Sequence, residues 1–290
     1  MAPDFLLLLA HQPFWLVSAV FVLGLLIGSF LNVVIHRLPR MLEADFRHEC
    51  ANLDRSEHDQ IPRGPTYNLV VPRSACPSCG TLIAGYDNIP VLSWLLLRGK
   101  CRHCKAPISV RYPLVELITG LISAGLAWHY GWGLMLAGAL LFAWVLIALF
   151  MIDLDTFYLP DNLTLSLLWL GLLFNLYEVF VPLKAAVLGA AAGYLTLWGF
   201  AKLYELIRRQ PGMGNGDFKL LAAIGAWLGV LSLPAVIVLS ALVGSLIGIS
   251  LILAGKRSWT NQLPFGPYLA GAGLAALLLK PYWMRLIWGV

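Results

Sequence analysis

Apolar and polar positions alternate along the chain on the scale of whole helices. Apolar runs of 15 to 25 residues are separated by more polar segments, all but one of them shorter than the runs, and about 20 apolar residues cross a membrane as an α-helix. This pattern predicts an all-α polytopic membrane protein with about eight transmembrane helices. The count is seven to nine, because the sixth run is short and Pro281 interrupts the eighth. The predicted spans lie near residues 14–35, 113–130, 133–152, 162–181, 183–207, 217–231, 233–254 and 265–288.

The composition agrees with a membrane protein and excludes an ordinary soluble domain. Hydrophobic residues make up 59% of the 290 residues and charged residues 12%, whereas soluble domains contain about 45–50% and about 25%. The first span is expected to be a retained helix rather than a signal peptide. Residues 1–13 contain no Lys or Arg, which a secretory signal carries before its apolar stretch.

Lys and Arg residues are distributed unevenly between the two sides that the predicted spans define. If residues 36–112 are cytoplasmic, 17 of the 20 basic residues lie on the cytoplasmic side, as the positive-inside rule requires. We therefore expect a periplasmic N-terminus. The net charge of +5 then reflects membrane topology, so that the lipid bilayer is an expected partner and nucleic acid is not.

One long segment does not belong to the membrane. Residues 36–112 contain 11 basic and 7 acidic residues and no apolar run long enough to span. We interpret this segment as a cytoplasmic domain inserted after the first helix. The chain then divides into the first transmembrane helix, residues 1–35, the inserted domain, residues 36–112, and a membrane-embedded core, residues 113–290.

The inserted domain contains four cysteines in the pattern C-x2-C, 21 residues, C-x2-C. Two such knuckles can present four thiolates tetrahedrally to zinc, and a reducing cytosol favours metal over disulfides. Two redox-active CxxC pairs, or thiols without a ligand, are the alternatives. A zinc ion with four cysteine ligands is structural, because no position remains for water or substrate. The predicted ligands are Cys76, Cys79, Cys101 and Cys104.

The reactive groups should therefore lie elsewhere, and acids beside membrane spans often mark function. Asp153, Asp155 and Asp161 occur in MIDLDTFYLPD and Asp217 in GMGNGDFKLL, both on the predicted cytoplasmic side. Asp153 and Asp155 are about 200° apart on a helix, so that only one of them can face a site. The residues alone do not choose between them. Asp161 follows Pro160 and is expected to cap a helix.

A helix cap alone does not explain the three glycines before Asp217. A cap needs one residue, whereas Gly212, Gly214 and Gly216 alternate through the turn. Alternate glycines permit positive φ angles and close backbone approach, as a peptide substrate lying against the turn would require. Two neighbouring aspartates share a proton and can activate water and protonate a leaving amine, as in aspartic proteases.

Several segments together resemble the bacterial type IV prepilin peptidases, which are GxGD-type intramembrane aspartyl proteases. The catalytic residues of that family are the first Asp of a D-x6-P pattern and the Asp that closes GxGD. The resemblance therefore implies that Asp153 and Asp217 are catalytic, and it sets Asp155 aside by pattern alone. The segments are IGSFLNVVIHRLPR, the two CxxC knuckles, IDLDTFYLPD, GMGNGDFKLL and PFGPYL.

The resemblance also implies the substrates and the location. The substrates would be type IV prepilins and type II secretion pseudopilins, whose short basic leader ends in Gly. Cleavage would follow that Gly at the cytoplasmic face of the bacterial inner membrane. Many members then methylate the new N-terminal amine with S-adenosylmethionine, and the inserted domain with its two knuckles resembles the bifunctional members.

The methyl-donor site is harder to find in the sequence. No strand, GxGxxG and helix unit of the Rossmann type occurs, so that a different kind of pocket is expected. Gly99, beside the second knuckle, is the candidate cofactor-binding residue, with Asp87 and Asn88 as polar partners. Ordinary turns are the alternative at each position.

The two aspartates are predicted to have different roles. Asp153 lies near the end of one predicted helix and Asp217 at the start of another. The helix dipole disfavours negative charge at a C-terminus and favours it at an N-terminus. We therefore expect Asp217 to be the ionised base and Asp153 the protonated acid.

Two other classes of function remain as alternatives. A transporter would carry charged or unwound segments near the bilayer midplane in both halves of the chain, and no inverted repeat is apparent. A noncatalytic scaffold of the pilus assembly platform would not depend on the aspartates. Substitution of the two aspartates separates these alternatives from a protease.

Overall fold

The computed structural model describes residues 12–53, 66–210, 212–255 and 263–279. Within these ranges the chain is helical and contains no β-strand, only two isolated bridges, at Ala75–Leu82 and Lys100–Pro107. Residues 280–288 of the eighth predicted span lie outside the described residues. The helices are α1 Pro13–Asn52, α2 Leu92–Leu96, α3 Arg111–Tyr130, α4 Leu134–Thr156, α5 Asp161–Leu176, α6 Leu183–Arg208, α7 Asn215–Leu228, α8 Leu233–Leu253 and α9 Gly266–Leu278.

The all-α membrane fold is confirmed, whereas the number of spans stays a prediction. Each of the eight apolar runs contains one helix of 13 residues or more. Four helical segments are long and apolar enough to cross a membrane by themselves: Pro13–Asn52, Leu134–Thr156, Leu183–Arg208 and Val230–Leu253. The chain falls into two compact units, Met1–Trp128 and His129–Val290, which we describe separately.

The first unit contains α1, the cysteine knuckles and most of α3. Helix α1 continues past residue 35, where the apolar run ends, to Asn52. It approaches α3 closely, since a Cβ on Gly28 would lie 2.7 Å from Glu116 Cα. Arg37 on α1 holds the following loop, donating to the carbonyl oxygens of Asn68 at 2.9 Å and Pro72 at 2.6 Å.

The second unit is built around α7. Eleven of the fourteen residues of α7 are buried, as expected for a helix that is apolar on all sides. Glycines of α6 permit backbone contact, since a Cβ on Gly193 would lie 2.7 Å from the Leu221 carbonyl oxygen. At the other end of α7, the Trp227 indole donates to Leu167 O at 2.7 Å, and Asn175 donates to Ala226 O at 2.8 Å. These contacts fix α7, whose first turn carries Asp217.

Candidate active site

Asp153 lies in the last turn of α4 and is 5% exposed. Helix α4 ends because Phe157 adopts a left-handed conformation, with its N–H donating to the Asp153 carbonyl oxygen at 2.9 Å. The Oδ2 atom of Asp153 is buried and has no hydrogen-bond partner among the described residues. Buried polar atoms are normally hydrogen-bonded, so this unpaired oxygen makes Asp153 a candidate functional group.

Asp217 is the third residue of α7 and is 9% exposed. The N-cap position is occupied by Gly214, and no side chain caps this helix end. Asp217 is therefore inside the first turn and does not act as the cap. The partial positive charge at a helix N-terminus favours a carboxylate there.

Leu159 and Gly266 bring the two aspartates to one place. A Cβ on Gly216, the neighbour of Asp217, would lie 2.8 Å from Leu159 Cβ. A Cβ on Gly266, at the start of α9, would lie 3.1 Å from Leu159 Cδ1 and 2.6 Å from Asp153 Oδ2. The carboxyl groups of Asp153 and Asp217 are close enough to interact electrostatically. Two buried acids can share one proton when their carboxyl groups are neighbours.

The first unit contains a second cluster, formed by the four cysteines. Their sulfur atoms all lie within 4.8 Å of one another, and Cys76 Sγ is 3.8 Å from Cys104 Sγ, across the two knuckles. Zn–S bonds of about 2.3 Å in a tetrahedron place sulfur atoms about 3.8 Å apart. The thiols therefore form one site that fits zinc, rather than two separate redox pairs.

The two knuckles repeat one hairpin geometry. In the first, the N–H of Cys76 donates to Thr81 O at 2.9 Å, and in the second, that of Cys101 donates to Ala106 O at 2.9 Å. The hydrogen bond with the Thr81 side chain lowers the pKa of the Cys79 thiol to about 6. A thiolate is the form that binds metal.

Two family models match the chain: the bacterial peptidase A24 N-terminal domain at residues 22–130 and the type IV leader peptidase family at residues 140–249. The prepilin leader peptidase/N-methyltransferase of Aeromonas hydrophila is 54% identical over 98% of this chain and 95% of its own length. The chain belongs to the type IV leader peptidase family. The resemblance that the motifs carry is thereby confirmed.

Other leader peptidases are similar over nearly the same length. The protein of the same name from Pseudomonas aeruginosa is 47% identical over 97% of this chain and 93% of its own. That from Neisseria gonorrhoeae is 49% identical over 87% and 86%, respectively. No solved structure matches the chain. The first matched region contains the four cysteines, and the second contains Asp153 and Asp217.

Two other acids of this leader peptidase have different surroundings. The side chain of Asp155 is exposed, so that of the two acids at the end of α4 only Asp153 faces the interior. Asp161 was expected to cap α5, and that expectation is wrong, because the N-cap is Pro160 and no side chain caps the helix. Both carboxyl oxygens of Asp161 instead accept from Lys219 Nζ at 2.7 Å.

The three loop glycines are used differently from one another. None of them has a positive φ, so the expected left-handed backbone is absent at all three. Close approach occurs at Gly212, which packs on the Tyr204 ring, and at Gly216, which packs on Leu159. Gly214 has open space, and the nearest atom to its Cβ position is Asp217 Oδ2 at 4.0 Å. Its role in substrate binding stays a prediction.

Gly99 lies behind a cavity of the first unit rather than in its wall. It has a φ of +67°, and a Cβ there would lie 2.8 Å from the Trp94 indole. Trp94 itself lines the cavity.

Sequence reasoning missed two residues beside the aspartates, Leu159 and Gly266. The signal was available in PFGPYL, where a glycine starts a helix next to prolines.

Proposed function

We propose that this chain is an intramembrane aspartyl endopeptidase that removes the basic leader of type IV prepilins and type II pseudopilins. Cleavage follows the last Gly of the leader, and the new N-terminal amine is then methylated. The buried pair Asp153 and Asp217 carries the proposal, with the unpaired Oδ2 of Asp153. The names of relatives that match most of this chain support both activities.

The two carboxyl groups divide acid and base catalysis. The ionised carboxylate takes a proton from water, and the water oxygen attacks the carbonyl carbon of the scissile Gly residue. The protonated carboxyl gives its proton to the nitrogen of the leaving amine, which breaks the C–N bond. Because the two residues lie at opposite helix ends, Asp217 is the base and Asp153 the acid.

The assignment of acid and base has a direct test. Infrared spectroscopy reports which carboxyl group carries the proton. The purified enzyme is prepared with an isotope label at Asp153 alone or at Asp217 alone. We expect the protonated C=O band to belong to Asp153. A protonated band that follows Asp217 would reverse the two roles while leaving the protease assignment intact.

The substrate geometry follows from the space around Asp217. A peptide bond is cleaved in extended chain, so the helical prepilin has to unwind at the scissile bond. The open backbone at Gly214, next to the Asp217 carboxylate, is where that extended segment lies. Gly212, Gly214 and Gly216 thus form the substrate-binding loop, and the apolar helix that follows the leader stays in the bilayer.

The orientation rests on charge. The protein lies in the bacterial inner membrane, with its N-terminus in the periplasm and with the active site and the cysteine domain in the cytoplasm. This orientation places 17 of the 20 Lys and Arg residues on the cytoplasmic side. The leader of the substrate is basic and remains on that side as well.

Peptide cleavage and methyl transfer are assigned to different parts of the chain, which divides into residues 1–35, 36–112 and 113–290. The last contains both aspartates, and the inserted domain performs methyl transfer. S-adenosylmethionine supplies a methyl group on a sulfonium centre and is left as the neutral thioether, while the amine forms the N–C bond and loses one proton. Zinc, held by the four cysteine ligands, joins the two knuckles and takes no part in the transfer.

Cleavage of a model prepilin by the purified enzyme in detergent tests the proposal. Asp153→Asn and Asp217→Asn should each lower kcat/KM by at least about a hundredfold, as expected for loss of general acid–base catalysis. Asp155→Asn, an exposed acid on the same helix end, is the matched control and should cleave normally. Mass spectrometry of the product should show a gain of about 14 Da with S-adenosylmethionine. If Asp153→Asn and Asp217→Asn both cleaved at the wild-type rate, the protease assignment would be refuted and the scaffold and transporter alternatives would stand.

A further inference from the structure

The first unit contains a cavity of about 630 Å³. Pockets for small molecules and cofactors usually measure about 300–1,000 Å³. The wall combines aromatic rings, acids and bases, and it includes Cys76 and Cys101. Neither Asp153 nor Asp217 belongs to this unit, so the protease chemistry does not account for the cavity.

One wall of the cavity is fixed before any ligand binds. Residues 85–96 form this wall, and side chains fasten them at several points. Such fixed geometry is what a binding site requires of its supporting contacts. The fastening bonds are Arg102 Nε to Asp87 Oδ2 at 2.8 Å, Ser93 Oγ to Tyr86 O at 2.8 Å, Trp94 Nε1 to Ile108 O at 3.1 Å, and Val91 N to Glu116 Oε2 at 2.7 Å.

Glu116 is the unusual member of this wall. It lies on α3, is 8% exposed and lines the cavity. The other acid of the wall, Asp87, is paired with Arg102, whereas no ion pair to Glu116 occurs within the described residues. Glu116 also holds Val91, whose φ of +59° is rare for a β-branched residue. A buried carboxylate without a cationic partner favours a ligand that carries positive charge.

We propose that this cavity is the methyl-donor site and that Glu116 faces the sulfonium cation of S-adenosylmethionine. The inference rests on the N-methyltransferase activity proposed above. The rings of Tyr86 and Trp94 line the cavity, and aromatic rings can stack on an adenine and attract a cation. A cation bound beside Glu116 in turn favours its ionised form.

The charge of Glu116 also explains why S-adenosylhomocysteine would leave the site after methyl transfer. Transfer of the methyl group converts the cationic sulfonium donor into the neutral thioether S-adenosylhomocysteine. The attraction to Glu116 is lost in the same step, so the site binds the donor more tightly than the spent product. The placement of Gly99 fits as well, because any side chain there would displace the Trp94 indole, which lines the cavity.

Isothermal titration calorimetry tests the inference. It measures how tightly S-adenosylmethionine and S-adenosylhomocysteine bind to the purified full-length protein in detergent. Glu116→Gln keeps an acceptor for the Val91 N–H and removes the charge, with an NH2 group in place of the second carboxyl oxygen. It should weaken binding of S-adenosylmethionine by about tenfold and leave that of S-adenosylhomocysteine within about twofold. Glu205→Gln, an exposed acid that pairs with Lys202, is the matched control and should bind both ligands like the wild type.

A second variant tests the cavity itself. Ala84 lines the cavity and has an extended backbone that any residue adopts, so that Ala84→Trp should fill the space and abolish binding of both ligands. Zinc content, measured in each preparation, confirms that the domain is folded. Normal binding by zinc-loaded Ala84→Trp would place the donor elsewhere, and equal affinities of Glu116→Gln and wild type for the cationic donor would refute the role of Glu116. A wild-type protein that binds neither nucleoside would instead refute the use of this donor altogether.

Discussion

The contact between Gly266 and Asp153 gives a sharp test of how closely the active site is packed. A Cβ added at Gly266 would lie 2.6 Å from Asp153 Oδ2, whereas ordinary van der Waals contact begins at 3.4 Å, so one of the groups must move by about 0.8 Å. Leu159 Cδ1, at 3.1 Å from the same Cβ position, restricts the alternative of shifting α9. The substitution Gly266→Ala should therefore displace the Asp153 carboxyl.

The expected loss can be worked from that displacement. A misplacement of about 1 Å in a catalytic group can lower a rate by about a hundredfold, so that Gly266→Ala should reduce kcat/KM for prepilin cleavage by about ten- to a hundredfold. Folding should not suffer in the same way. Gly266 is the first residue of α9 and has no positive φ, and Ala has a higher helix propensity than Gly.

The assay compares two glycines of one helix. Gly271 also lies on α9, but a Cβ there meets nothing within 4 Å, so that Gly271→Ala is the matched control and should cleave at the wild-type rate. Cleavage of a model prepilin is followed by mass spectrometry, with the melting temperature in detergent as the check on folding. Wild-type kcat/KM for Gly266→Ala would refute the reasoning, because the carboxyl would then tolerate the shift.

Two further predictions concern the zinc cluster and the Asp161–Lys219 pair. Cys101→Ser should release most of the zinc, as measured by atomic absorption. It should also lower the melting temperature of the cytoplasmic domain, because the metal bonds stabilise the folded knuckles. Full zinc retention would contradict the four-cysteine site. Asp161→Asn should lower kcat/KM by no more than about fivefold, because a partly exposed ion pair contributes about 0.2–1 kcal/mol. A loss as large as that of Asp217→Asn would place Asp161 in the catalytic group.

The sequence predicted those parts of the molecule whose contacts are local. The cysteine knuckles close through hydrogen bonds between residues at most nine apart, such as Cys76 with Thr81 and Ile83 with Ser74, and the CxxC spacing carries that information. The helices also agree, since each apolar run contains one. The extension of α1 to Asn52 was not visible in hydropathy, because residues 36–52 are rich in charged side chains and continue the helix beyond the apolar run.

The active site depended on contacts that local patterns do not contain. The choice between Asp153 and Asp155 required the rotation of α4 against its neighbours, which no period in the sequence fixes. Lys219, the partner of Asp161, is 58 residues away along the chain. Gly266, which packs on Asp153, is on the last described helix. These pairings follow from helix packing, and the resemblance to a family supplied what the physical pattern left open.

Helix packing in the second unit explains why the position of Asp217 depends on glycines that are not in its own loop. Apolar surface provides little net attraction between helices in a lipid environment, so that close packing of small residues holds them together. On α6, Gly189 and Gly193 face the α7 backbone at Gly225 and Leu221, about two turns and one turn beyond Asp217, respectively. The carboxylate is fixed through these backbone contacts because Asp217 is the third residue of the same helix. The chain therefore uses glycine to pack the helix that carries Asp217 and, in the function that we propose, to leave room beside it for substrate.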